Sequence, residues 1–407
     1  MATAERGQPA GDASAEGASE GVAERQLRGS TILVIDDHAF IRRMIEQCLA
    51  NAGFARMEFA VDGQEGLEKV AAVSPDLIVL DINMPRLGGI EFLRRLRADP
   101  VHRRIPVLVQ TAATEEAARN EAFDAGATDY VTKPINFKEL SSRVRIHLEN
   151  RLLIRELRSY RDRVDSELQM AREMQTAILP EPERVEELQR RYGVRLDGHF
   201  EPSSELGGDY WGAVALDESR IGLLSVDFSG HGIGAALNTV RLHAIMSQLP
   251  PPATDPAAYL TALNAQLHRQ LPRGQFATMV YGIVDLREGA LTFASAAAPA
   301  PMVGRAGGGP AEVLAEPAGL PLGVMATGTY ENRRVPFGPG SFVFLYSDAL
   351  FESPLVAGGR LGQGGVPALV ERSRAAARPL QEVIAAFDAM AQKPIPDDLT
   401  AIWLQRG

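Results

Sequence analysis

The chain has 407 residues, 45% of them hydrophobic, a net charge of −10 and a single cysteine, Cys48. That length suits two to three domains, each with its own core, and the acidic balance argues against nucleic acid and anionic membrane as partners. One cysteine excludes an internal disulfide and fits a reducing cytoplasm, and no apolar run reaches membrane-spanning length.

Residues 1–29 are rich in Ala, Gly, Glu and Ser, lack the apolar core of a signal peptide, and read as a disordered leader. Thr31–Asp37 is then a β run ending in paired acids, and Asp76–Ile82 and Ile105–Thr111 are further continuous apolar runs. Helical segments at Ala39–Ala52 and Gly88–Arg97 separate them. Strands apolar on both faces, alternating with helices, predict an α/β doubly wound parallel sheet whose sites gather at the strands' C-terminal ends. Asp36, Asp37, Asp81, Thr111 and Lys133 all fall at such ends. Three carboxylates there suit one Mg²⁺, which would screen Asp81 while it attacks a phosphoryl group. Thr111 and Lys133 would meet the phosphoryl oxygens by hydrogen bond and charge. A cis Lys133–Pro134 peptide would turn the lysine inward.

In this order, the acidic pair, Asp81-Ile-Asn-Met-Pro85, Thr111-Ala and Lys133-Pro closely resemble the flavodoxin-like receiver domain of bacterial response regulators. The resemblance covers about residues 30–150, with a domain over 30–137 whose last helix continues onward. It implies that Asp81 is the phosphoacceptor and that Asp36, Asp37 and Asp81 hold Mg²⁺. It further implies that Thr111 and Tyr130 are the switch pair, that Lys133 contacts the phosphoryl group, and that a sensor histidine kinase is the upstream partner.

From Asn136 to about Leu179 there is no Pro or Gly, and Leu153, Leu157, Tyr160, Val164, Leu168 and Ala171 step by three or four residues. A narrow apolar stripe on a charged helix suits a coiled-coil connector over 138–180 that joins two copies of the chain, with Pro180 as its stop. The alternative is a long helix packed on its own domain.

Residues 181–407 mix β runs and helices: Ile221–Val226, Gly232–Leu249, Ala277–Asp285, Leu291–Ala296, Phe342–Tyr346 and Leu399–Leu404, with a hairpin signal at Leu286–Ala290. They read as a sheet-rich α+β domain. Asp209, Asp227, Asp348 and Asp397 each end or begin an apolar run and have Gly, Ser or a second acid close by. Carboxylates drawn together repel one another unless cations sit among them, and hard divalent ions prefer oxygen ligands.

The motifs around these acids resemble the bacterial PPM-type serine/threonine phosphatases of the sporulation-phosphatase and sigma-regulator branch. They are Arg172-Glu-Met-Gln175…Leu179-Pro180, Gly207-Gly-Asp-Tyr210, Asp227-Phe-Ser-Gly-His-Gly232, Leu320-Pro-Leu-Gly323, Tyr346-Ser-Asp348…Glu352 and Asp397-Asp-Leu-Thr400. The resemblance implies an αββα sandwich and two Mn²⁺ or Mg²⁺ ions. The ions would be held by Asp209, Asp227, the Phe228 backbone carbonyl, Asp348 and Asp397, with a metal-bridging water held by Asp209 and Asp227 as the nucleophile. It implies a phosphorylated STAS-type anti-sigma antagonist as substrate. Two departures stand out: Ser347-Asp-Ala349 replaces Thr-Asp-Gly, and Ala296-Ala-Ala298 replaces Ala-Gly-His. They support a second reading, a phosphatase fold that has lost turnover and sequesters a partner. Asp398 reads as a solvated neighbour, His231 as a local structural choice, and Tyr210 and Trp211 as core. A DNA-binding response regulator is disfavoured, since no basic recognition helix is found.

Overall fold

The computed structural model describes residues 24–112, 116–305, 309–314 and 319–407. The chain divides into two compact units, Met1–Arg163 and Val164–Gly407. The described residues contain no helix long and apolar enough to cross a membrane.

In the first unit five strands form one parallel sheet. They are β1 (Thr31–Ile35), β2 (Arg56–Ala60), β3 (Leu77–Asp81), β4 (Val107–Ala112) and β5 (Asp129–Lys133), in the order β2-β1-β3-β4-β5. Alternate residues feed the two sides. Leu33, Ile35, Ile78, Leu80, Val107 and Val109 pack on the helices Gly63–Val73 and Gly89–Ala98. Ile32, Val34, Leu77, Val79, Leu108 and Val131 pack on Ala39–Asn51 and the first turns of Phe137–Thr176. Each such side chain leaves water almost completely, worth about 1.5–3 kcal/mol apiece. This is the expected doubly wound sheet, and it delivers the C-terminal ends of β1, β3, β4 and β5 to one edge.

The leader expected over 1–29 differs at its end, while residues 1–23 lie outside the described residues. Residues 24–28 are helical, Leu27 is buried in the core beneath β1, and Glu24 pairs with Arg145 at 2.9 Å. One buried leucine and one ion pair anchor a segment whose composition alone reads as unstructured.

The helix Phe137–Thr176 runs for 40 residues. Asn136 caps it, its side-chain oxygen accepting the N–H groups of Lys138 and Glu139, a cap worth ~1 kcal/mol. Leu140, Val144 and Leu148 are fully buried on the sheet. Further along, Leu153, Leu157 and Tyr160 are exposed by 64%, 68% and 58%, so within one chain the stripe has no apolar cover there.

In the second unit two antiparallel sheets face each other. The first contains β7 (Asp209–Ala215), β8 (Arg220–Phe228), β9 (Ala277–Asp285), β10 (Ala290–Ala296) and β13 (Arg333–Pro336), in the order β13-β10-β9-β8-β7. The second contains β6 (Val194–Glu201), β11 (Met302–Gly304), β12 (Glu312–Val313), β14 (Phe342–Tyr346) and β15 (Leu399–Arg406), in the order β12-β11-β14-β15-β6. Between the sheets lie Ile221, Leu223, Val280, Phe293, Val343, Leu345, Ile402 and Leu404. On the outer side of the first sheet, Leu224, Val226, Phe228 and Met279 pack with the helices Ile233–Gln248 and Pro256–Gln270. On the outer side of the second, Phe344, Ala401 and Trp403 meet Gly365–Ser373 and Pro379–Asp388. Strand alternation thus fills three cores in an αββα sandwich. The hairpin expected at Leu286–Ala290 joins β9 to β10, with Asp285 opposite Ala290.

Candidate functional site: two acidic clusters

At the C-terminal edge of the parallel sheet, Asp36 and Asp81 are buried and Asp37 is half-buried. Ligand atoms from Asp36, Asp37, His38 and Asp81 lie within 4.8 Å of one another, the one such group of three or more among the described residues. Burial pushes the Asp36 carboxyl up, the His38 backbone N–H opposes this at 2.8 Å, and the Asp81 charge adds to it. The second oxygen of Asp36 has no hydrogen-bond partner, so the pocket's donor set and its unsatisfied charge both fit a divalent cation.

Lys133 Nζ reaches Asp81 Oδ2 at 2.6 Å, and the Lys133–Pro134 peptide is cis. Asn83 N–H donates to Asp81 Oδ1 at 3.3 Å. Thr111 is buried, with its hydroxyl turned to the Ala112 carbonyl at 3.5 Å. Tyr130 stands on the neighbouring strand beside Val109. Its ring meets Phe123 edge-on at 5.9 Å, with the guanidinium groups of Arg119 and Arg143 at 5.3 and 5.7 Å. Arg143 belongs to the long helix and also holds Asp129 at 2.6 Å, so β5 is tied to that helix by charge.

Two residues of this pocket escape sequence reasoning. His38 contacts Asp37 at 2.6 Å, and only its place directly after the acidic pair hints at it. A Cβ on Gly89 would collide with the Asp81 carbonyl, so the helix Gly89–Ala98 can start against the end of β3 only because that residue is glycine.

In the sandwich the four aspartates come from the facing ends of both sheets. Asp209, the first residue of β7, is opposite Asp227 near the end of β8. Asp348 follows β14 and Asp397 precedes β15. Ser347 pins these last two strand ends together. Its N–H donates to Thr400 O at 2.8 Å, its hydroxyl donates to Asp398 O at 2.9 Å, and the same hydroxyl accepts the Thr400 N–H at 2.9 Å.

The electrostatics show one shared field. Asp209 is pushed well up, first by burial and then by Asp227. Asp227 is pushed up to about 7 by burial, then by Asp348 and Asp397. Burial also raises Asp348 and Asp397, and Glu352 adds to both. Asp209 Oδ2 is buried without a hydrogen-bond partner. The exposed His231 acts favourably on Asp397. Four carboxyls with an unsatisfied oxygen fit divalent cations of oxygen preference.

Asp398, read as a solvated neighbour, is buried. Its Oδ1 accepts the Ser203 N–H at 2.7 Å and the Ser203 hydroxyl at 3.0 Å, and its Oδ2 accepts the Gly208 N–H. Asp397 is exposed and its Oδ1 accepts the Asp398 N–H at 2.9 Å, while Asp398 ties down the loop before β7. Tyr210 and Trp211 are core, with Tyr210 OH at 3.3 Å from His243 Nδ1.

Both departures from the branch pattern are accommodated. Ala349 is buried among Tyr346, Leu350 and Phe351 and opens the short helix Ala349–Glu352. Ala297 has φ +58°, the left-handed conformation in which a glycine is at ease. Neither substitution removes an acid.

A family model for the response regulator receiver domain matches residues 32–145, and one for stage II sporulation protein E (SpoIIE) matches 217–407. The response regulator MprA of Mycolicibacterium vanbaalenii is 41% identical over 114 residues, 28% of this chain and 48% of that protein. The phosphate regulon transcriptional regulatory protein PhoB of Pseudomonas aeruginosa is 40% identical over 117 residues, 29% of this chain and 51% of that protein. The chain therefore spans about half the length of these curated relatives. Among solved structures, the SiaA-PP2C domain of Pseudomonas aeruginosa superposes with a TM-score of 0.52 at 23% identity, covering 61% of this chain and 98% of that one. That likeness concerns the fold.

Proposed function

Because this chain joins a response regulator receiver domain to a SpoIIE-type PPM phosphatase domain, we propose that it is a metal-dependent phosphoserine/phosphothreonine protein phosphatase controlled by phosphorylation of Asp81. The observation that carries the reading is the Asp209–Asp227 pair, set opposite each other in register, with a buried oxygen lacking any partner and both carboxyls pushed up. Such a pair is costly unless cations neutralise it.

Asp209, Asp227, the Phe228 carbonyl, Asp348 and Asp397 would hold two Mn²⁺ or Mg²⁺ ions. When bound, the ions supply Lewis acidity toward the phosphoryl group and make a water acidic enough to attack at neutral pH. Asp209 and Asp227 orient that water. Glycines let backbone close on the cleft: a Cβ on Gly208 would sit 3.0 Å from Phe228 O and 3.2 Å from Gly230 O. Ser347 keeps Asp348 and Asp397 on one side, and Asp398 holds the loop that carries Asp209. Turnover needs no covalent enzyme intermediate.

In the receiver, Asp36, Asp37 and Asp81 would bind Mg²⁺, with His38 beside them. Asp81 accepts the phosphoryl group from the phosphohistidine of a sensor kinase, and Lys133 and Thr111 stabilise its oxygens. The signal would leave through Tyr130 and Arg143 on the long helix, whose uncovered stripe suits a homodimer. The substrate class is a phosphorylated STAS-type anti-sigma antagonist.

The test is hydrolysis of p-nitrophenyl phosphate and of a phosphoserine antagonist by the purified chain with Mn²⁺. Asp227→Asn should lower the rate by at least about a hundredfold. Asp81→Asn should abolish any response to the phosphoryl mimic beryllofluoride. Full activity in Asp227→Asn would defeat the assignment.

A further inference from the structure

The last turn of the helix Phe137–Thr176 carries a buried glutamine, Gln175, only 3% exposed. Its side-chain Nε2 donates to Gly207 O at 2.5 Å, and its Oε1 accepts the Gly207 N–H at 3.2 Å. One amide thereby satisfies both backbone groups of a single residue. One turn earlier, Arg172 Nε donates to Glu205 O at 2.8 Å, so two side chains of the same helix end grip the segment 205–207.

That segment leads directly into the cleft. A Cβ on Gly207 would lie 2.8 Å from Asp398 Oδ2 and 2.9 Å from Phe200 Cζ, so the turn is closed on its far side. The Gly208 N–H donates to Asp398 and its carbonyl accepts the Phe228 N–H at 3.2 Å. The next residue is Asp209, opposite Asp227. A leucine would fill the Gln175 site equally well if packing were the only requirement, and a buried amide left unpaired costs about 1–3 kcal/mol. The polar side chain is therefore informative.

We infer that Gln175 is a positioning residue: its amide fixes the Gly207–Gly208 turn and so sets where Asp209 stands relative to Asp227. The end of the connecting helix is thereby part of the cation site's support, although it contributes no ligand. This rests on the metal-dependent phosphatase reading above. A change in the helix end would act first on cation affinity and only through it on turnover.

Calorimetric titration of the full chain with Mn²⁺ tests this, alongside initial rates on p-nitrophenyl phosphate as a function of Mn²⁺. An Asp36→Asn background removes the receiver pocket's contribution to the heat. Gln175→Leu should weaken Mn²⁺ binding at the second unit by about 10- to 100-fold, the usual cost of losing a residue that orients a ligand. Saturating Mn²⁺ should then restore most of the rate, which a merely unfolded variant would not show. Gln175→Glu keeps the acceptor for the Gly207 N–H but loses the donor, and should fall between the two. Wild-type Mn²⁺ affinity in Gln175→Leu overturns the inference. If the leucine variant does not fold, unchanged affinity in Gln175→Glu overturns it equally. A wild type that binds no Mn²⁺ beyond the receiver overturns the phosphatase reading itself, and that outcome is separable from an active wild type with an indifferent Gln175.

Discussion

Ala297 holds a left-handed backbone with a methyl group attached, a conformation that costs an L-residue roughly 1–2 kcal/mol. Its carbonyl neighbours are fixed by short bridges, Met279 to Ala297 and Ala296 to Gly319, so the backbone cannot relax without breaking pairing. Ala297→Gly should stabilise the second unit by about 1 kcal/mol, less the entropy a glycine adds to the unfolded chain. Urea unfolding would show a higher midpoint at unchanged slope; a lower midpoint would mean the strain is not there. At this scale the individual acids were legible because each ends or begins an apolar run. Asp398 was not, since two adjacent aspartates look alike until folding leaves Asp397 exposed and buries Asp398 against Ser203 and Gly208. Gln175 belonged to a recognisable motif, but its partner lies 32 residues away and only folding names it.

Strands β1, β3, β4, β8, β9, β10, β14 and β15 were readable from apolar runs, as was the hairpin joining β9 to β10, and β9 and β14 occupy the spans expected for them, whereas β2, β5, β7 and the short β11, β12 and β13 had no run of their own. The long helix was readable for the opposite reason, an unbroken absence of Gly and Pro. The helix Pro182–Tyr192 and strand β6 were not foreseen. The helix is short and highly polar, and β6 carries His199 and Gly198 where a clean alternation would help. Gly198 is required because Trp211 packs where a Cβ would go, a long-range constraint invisible locally. The exposed stripe is an element-level feature with its own test. Leu153, Leu157 and Tyr160 would be covered by the same residues of a second copy. Light scattering should give a dimer in the free or the beryllofluoride-treated chain, and Leu157→Lys should make it a monomer. A monomeric wild type in both states would remove the dimer.

At the scale of the whole molecule, the two acidic clusters make stability depend on pH and on cations together. Asp227, pushed up to about 7, with Asp209, Asp348, Asp397 and Asp36 also raised, binds protons more tightly folded than unfolded. Between the unfolded value near 4 and the folded values, the native state holds the extra protons. Stability from these groups is therefore present at low pH and lost as pH rises through about 7. The chelator-treated chain should melt at a lower temperature at pH 8 than at pH 6, and saturating Mn²⁺ should cancel the difference, releasing protons as it binds. A chelated chain that gains thermal stability between pH 6 and 8 would contradict the charge arrangement.

The long helix has a mechanical consequence. At about 1.5 Å per residue its 40 residues make a rod of roughly 60 Å. It contains no proline and no glycine. One end of this rod is clasped by Asp129 through Arg143, and the other clasps Gly207 through Gln175. Each grip depends on helical phase: at about 100° per residue, one residue inserted between Arg172 and Gln175 would turn one of them away from the 205–207 segment that the other still holds, while Asp209, Asp227, Asp348 and Asp397 all remain in the chain.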